Sequence, residues 1–144
     1  MPYRHTQRGT LTIVVCLAMA AMDAAIVWGS GQWAAAAALV VLIAVAFLFA
    51  SLTVEVGDGE LRWHFGPGLW RYRLALDEIE TVATVRNRWW MGFGIRRGPG
   101  FRLYNVSGLD AVELRLNSGE IRRIGTDDPR GLLGALRSAG VRTG

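Results

Sequence analysis

Two apolar stretches separated by four residues constrain this 144-residue chain more than any other feature. Leu11 to Trp28 reads LTIVVCLAMAAMDAAIVW, 18 residues with one charge, and Trp33 to Ala50 reads WAAAAALVVLIAVAFLFA, 18 residues with none. Each meets the roughly 17 to 25 residues that a helix needs to cross a bilayer. Gly29-Ser30-Gly31-Gln32 between them is too short for anything but a tight turn, and Trp28 and Trp33 on either side of it are the amphipathic rings expected at an interface. The expectation is a transmembrane helical hairpin over 11–50, with spans 11–28 and 33–50.

The positive charges set its direction. All 16 basic residues are Arg; Arg4 and Arg8 precede the first span, the turn has none, and the other fourteen follow Ala50. The positive-inside rule then places both termini in the cytoplasm and the protein in the inner (plasma) membrane as a multi-pass protein. Arg4 to Ala25 also reads as a cleavable signal peptide, with a basic start, an apolar run and small residues at its end. The second span would even then leave the following domain on the cytoplasmic side.

Asp23 is the one charge inside a span. An intramembrane carboxylate raises the question of proton or ion traffic. Asp23 lies only five residues from Trp28, close enough to the surface to snorkel, stay protonated or accept a hydrogen bond from the other helix, and no intramembrane His, Glu, Lys or Arg joins it in a relay. The single Cys16 sits in an apolar run and excludes an intrachain disulfide framework.

After Ala50 the pattern switches to period two. Leu52, Val54 and Val56 alternate with polar residues, as do Leu61, Trp63 and Phe65 across the Gly57-Asp58-Gly59 turn signal, and Trp70, Tyr72 and Leu74 across Gly66-Pro67-Gly68. A later hairpin runs from Ala111 to Leu116 through Asn117-Ser118-Gly119 into Glu120 to Ile124. Thr126-Asp127-Asp128-Pro129 then caps an amphipathic helix carrying Leu132, Leu133 and Leu136 and stopped by Gly140. About 94 residues leave room for one small core. The chain divides into an N-terminal segment 1–10, the hairpin 11–50, a β-rich domain 51–140 and a tail 141–144.

Residues 51 to 140 resemble the bacterial pleckstrin-homology-like (PH-like) family, often found after one or two transmembrane helices. The resemblance is carried by the Asp-Gly turn of the first strand pair, by Leu76-Asp77-Glu78-Ile79, by Met91-Gly92-Phe93-Gly94-Ile95-Arg96, by Tyr104-Asn105-Val106-Ser107-Gly108 and by Arg123-Ile124-Gly125-Thr126-Asp127-Asp128-Pro129. It implies a membrane-anchored α+β protein whose domain is an antiparallel β-barrel or sandwich of about seven strands capped by the C-terminal helix. The family serves mainly as a binding scaffold, so the resemblance implies a fold and no particular ligand. Glu55 and Glu60 flank the first turn and would repel phosphates, against inositide recognition at that edge.

The segment Arg86 to Arg102 holds five Arg and four aromatic rings with no acid. Rings partition to the headgroup boundary and each Arg near an anionic surface contributes on the order of 1 kcal/mol. Arg86, Arg88, Trp89, Trp90, Phe93, Arg96, Arg97 and Arg102 are therefore the candidates for membrane or partner contact. Trp89, Trp90 and Phe93 serve equally well as core residues, with the Arg side chains as a solvated rim. His5, His64 and the Asp77, Glu78, Glu80 cluster assemble no acid-base or nucleophilic constellation, and no zinc spacing or phosphate loop is present. The expectation is a non-enzymatic protein without cofactor, presenting an interaction or scaffold domain to membrane lipids or to a membrane or cytoplasmic protein partner, and not to nucleic acid. An accessory subunit of a membrane enzyme or transporter is the alternative. Homo-oligomerisation is left open.

Overall fold

Asp58 and Gly59, at the centre of the first hairpin turn, both take positive φ (54° and 75°), the mirror-image turn that follows the right-handed twist of its strands. That turn joins β2 (Ser51–Gly57) to β3 (Glu60–Phe65), and the next joins β3 to β4 (Arg71–Ala75). Burial along β3 alternates without a break, with Leu61, Trp63 and Phe65 inward and Arg62 and His64 outward. The structure, a computed structural model, describes residues 2–91 and 94–144. Phe93 lies outside the described residues.

The described chain is α+β, with three helices and two sheets. A fourth strand, β1 (Tyr3–Arg8), precedes helix α1 (Thr10–Ser30) and pairs antiparallel with β2 over its whole length, Tyr3 opposite Val56 and Arg8 opposite Ser51. No strand is expected here from the residue pattern. The first sheet therefore runs β1-β2-β3-β4.

The second sheet runs β10-β5-β8-β9-β7-β6, built from β5 (Ile79–Arg86), β6 (Gly94–Gly98), β7 (Phe101–Asn105), β8 (Asp110–Leu116), β9 (Ile121–Gly125) and β10 (Arg142–Thr143). It is mixed, which corrects the expectation of a purely antiparallel set of about seven strands. After β7 the chain crosses through Val106–Leu109 to pair β8 with β5, so the β8–β9 hairpin returns β9 alongside β7 in the same direction. The last residues add the parallel β10 on β5 instead of forming a free tail.

Helix α3 (Pro129–Ser138) begins as its sequence signals demand. Asp128 is the N-cap and accepts from the Gly131 amide at 3.0 Å, Pro129 takes the first turn, and Gly140 at φ 97° ends the helix. A Cβ at Gly131 would stand 2.0 Å from the Asp128 carboxylate, so this glycine makes room for the cap. Leu132 and Leu136 enter the core with Leu52, Val54, Trp63, Phe65, Val82, Tyr104, Leu114 and Ile124.

Helices α1 and α2 (Trp33–Leu48) lie side by side with only Gly31 and Gln32 between them. Among the described residues α1 alone is long and apolar enough to cross a membrane; α2 is apolar but has 16 residues. It stops at Leu48, short of the expected Ala50, because the domain claims both Phe49 and Ala50. The Phe49 ring packs on Phe65 at 5.2 Å and on Trp70 at 5.6 Å, and the Ala50 carbonyl accepts from the Gly9 amide at 2.7 Å. The rest of the chain leaves the outer faces of both helices uncovered, with Met22, Trp28, Trp33, Val40 and Phe47 exposed.

Candidate functional site

Both helices leave the domain at one end, and the loops of the second sheet that gather there can be traced by their bonds. Thr12 of α1 donates its hydroxyl to the Val106 carbonyl at 2.6 Å, and Gln7 of β1 donates to the Ser107 carbonyl at 2.8 Å. Two residues on, the Leu109 carbonyl accepts from the Asn87 amide at 2.6 Å, where β5 ends. Asn105, the last residue of β7, stands opposite Gly94, the first of β6. The segment from Asn87 to Met91 is therefore held at the helix-proximal end of the domain.

There Trp89–Met91 forms one 3-10 turn, closed by the Met91 amide donating to the Arg88 carbonyl at 3.0 Å. Trp89 and Trp90 are 77% and 60% exposed and meet edge to face, ring centroids 5.9 Å apart. The Arg88 guanidinium lies over the Trp90 ring at 5.0 Å. Of the two uses the sequence left open for these rings, core filling is the one the structure excludes.

A half-buried clamp holds the base of this turn. Arg123 of β9 donates to Glu113 at 2.8 Å and to the buried Asn87 side chain at 3.2 Å, and its guanidinium reaches the Met91 sulfur at 3.7 Å. Sequence reasoning missed Arg123 as a positioning residue, since one more Arg in a strand carries no signal of its partners.

The other candidates disperse. Arg86 stays beside the turn, exposed and 3.9 Å from Asp110. Arg96 lies midway along β6 opposite Leu103. Arg97 and Arg102 stand opposite one another toward the far end of the β6–β7 hairpin, and Arg102 is engaged by Glu120 at 3.1 Å. At about 3.3 Å per residue, Arg102 sits roughly 10 Å along β7 from the helix-proximal end. Asp23 is half-buried in α1, and its Oδ2 atom has no hydrogen-bond partner among the described residues.

Two features at the site were not foreseen. Leu69, 70% exposed, and Trp70, stacked on Phe49, project from the β3–β4 loop beside the end of α2. In addition, β1 is tied to the start of α3: Tyr3 donates its hydroxyl to Asp128 at 3.0 Å and His5 bonds Asp127. Burial, followed by that bond to a carboxylate, pushes the Tyr3 phenol well above its usual range.

Glu120 titrates in the opposite direction. The hydrogen bond from Arg122 at 3.0 Å, with further attraction from Arg122 and Arg102, holds its carboxyl below the ordinary value. A carboxylate with a lowered folded-state pKa stabilises the fold above its unfolded value, near 4.5, and loses that contribution as pH falls through the folded value. Thermal melts of the purified chain between pH 6 and pH 3 are expected to show a shallower acid loss in Glu120→Gln than in the wild type; superimposable profiles would contradict this.

Among the described residues no three His, Cys, Asp or Glu side chains lie close enough together to hold a metal ion. Neither a family model nor a curated protein sequence matches the chain.

Proposed function

We infer that this is a non-enzymatic membrane protein in which α1 and α2 form a transmembrane hairpin and the β-rich domain, PH-like in character, rests on the cytoplasmic surface of the inner membrane as an interaction module. The observation that carries this reading is the pair of exposed indoles, Trp89 and Trp90, at the same end of the domain from which two uncovered apolar helices depart. The Gly9–Ala50 hydrogen bond leaves no linker at that junction, so a bilayer around the helices lies against this end. Cleavage after Ala25 would remove β1 and the Gln7 and Thr12 contacts with the domain, which favours a retained first helix.

Within this reading Trp89 and Trp90 enter the headgroup boundary and Arg88 meets anionic headgroups or an acidic partner. Arg88 is nearest, and Arg96 and Arg97 add less because screening acts within a Debye length of about 8 Å. At about 1 kcal/mol for each Arg near the surface, the three together contribute roughly 1 to 3 kcal/mol, or about 5- to 150-fold in docked population. A spin label at position 90, with Cys16 replaced by Ser, reports this in bilayers containing anionic lipid. Label accessibility to oxygen is expected to fall when Arg88, Arg96 and Arg97 are all changed to Ser, with near-ultraviolet circular dichroism unchanged. Equal accessibility in both proteins would refute the assignment.

A further inference from the structure

The outward face of the first sheet carries a second basic surface that the Trp89–Trp90 reading does not use. Register places Arg4, Glu55, Arg62 and Arg73 in one row across β1-β2-β3-β4, and Thr6, Thr53, His64 and Arg71 in the next. Arg62 thus stands directly opposite Arg73, and His64 directly opposite Arg71. Opposed side chains in such a ladder have Cβ atoms about 5 Å apart, and like charges there destabilise a sheet.

Carboxylates meet only part of this block. Glu55 is taken by Arg4 at 3.2 Å, and Arg62 turns toward Asp58 and Glu60 at the far turn. Arg71 donates to the Gly68 carbonyl at 2.9 Å, and among the described residues no carboxylate pairs with Arg71 or Arg73. The His64 Nδ1 atom is buried and has no partner among the described residues. These side chains line an open depression of about 660 Å³.

We propose that this depression binds a single phosphoryl group of the phosphate-monoester class, with Arg71 and Arg73 donating to its oxygens and the His64 ring supplying a further donor. Two Arg side chains and an imidazole rooted about 5 to 7 Å apart on the ladder, with reach enough to converge, match the acceptor number of one phosphoryl dianion. A lone carboxylate would leave at least one of the cations unmet. The site offers the same chemistry to a soluble ester and to a lipid headgroup. Arg71 follows Trp70, which packs on the end of α2, so a headgroup source rests on the membrane placement inferred above.

The test uses the full chain in phosphatidylcholine nanodiscs, observing the His64 ring signals by NMR. In one arm glycerol 3-phosphate is added; in the other the discs contain phosphatidic acid and no soluble ester. A saturable shift in either arm is expected, weakened at least tenfold by Arg71→Gln with Arg73→Gln and unchanged by Arg137→Gln. Response to the ester alone assigns a soluble ligand, and response to the lipid alone assigns a headgroup. Removing the opposed charges relieves repulsion, so the double variant is expected to melt no lower than wild type in phosphate-free buffer; should it melt lower, Arg73→Gln alone carries the titration. No saturable shift in either arm, or undiminished binding in the variant, overturns the proposal. Changing Arg88, Arg96 and Arg97 to Ser leaves this site intact, so its failure and that of the Trp89–Trp90 surface are separable.

Discussion

Gly66→Ala is expected to destabilise the protein by roughly 2 to 5 kcal/mol, more than its place in a loop suggests. Gly66 has φ 49°, and a Cβ there would stand 2.4 Å from the Leu48 carbonyl oxygen and 3.0 Å from that of Phe47. A left-handed backbone costs a non-glycine residue about 1 to 2 kcal/mol, and the clash adds about 1 to 3 because both oxygens belong to the end of α2. The Gly66 amide also donates to the Ser51 carbonyl at 2.8 Å, which ties the β3–β4 loop to the strand leaving α2. The substitution therefore strains the junction between helices and domain. Denaturant unfolding of the detergent-solubilised chain, followed by near-ultraviolet circular dichroism, checks this; a loss below about 1 kcal/mol would show that the junction yields freely.

Trp63→Ala carries the second large effect, about 3 to 5 kcal/mol, out of a typical total of about 5 to 15. Trp63 is only 1% exposed and lies at the centre of an aromatic cluster, stacked on Tyr72 at 5.6 Å and edge-on to Tyr104 at 5.2 Å. Tyr104 belongs to β7 and Tyr72 to β4, so this one indole joins the two sheets. Its Nε1 atom is buried without a hydrogen-bond partner among the described residues. Trp63→Phe keeps most of the ring contact and removes the orphan donor, so its loss is expected to fall well below that of the Ala variant. Equal losses in the two variants would mean that ring packing is not what holds the sheets together.

Local patterns made much of this fold readable. The period-two runs of β2, β3 and β4, the Asp58–Gly59 turn and the Asp128–Pro129 helix start each depend on neighbours a few residues away, and the sequence displays those neighbours. Strand β1 depends on distant ones. Its inward residues Tyr3, His5 and Gln7 are polar, so no apolar alternation marks it, and it is held by the β2 ladder and by bonds to Asp128, Asp127 and Ser107. The parallel β7–β9 pair is likewise decided by a crossover that no local signal announces.

The candidate site was legible in its composition but not in its division. Arg86 to Arg102 reads as one basic aromatic stretch, yet the β6–β7 hairpin carries Arg97 and Arg102 away from Arg88, Trp89 and Trp90 and gives Arg102 to Glu120. The 3-10 turn that carries the two indoles is anchored through Asn87 and Met91 by Arg123, from a strand more than thirty residues away. The outward Arg62, His64, Arg71 and Arg73 show as the polar half of their alternations, but only register reveals cation facing cation.

The most direct test of the central claim is photo-crosslinking from a benzophenone amino acid placed at position 90 of the full chain in native membranes, with products identified by mass spectrometry. The inferred function predicts adducts to lipid or to one discrete protein, lost when Arg88, Arg96 and Arg97 are changed to Ser. A probe that stays free of both lipid and protein, in a chain that remains folded and membrane-bound, would contradict it.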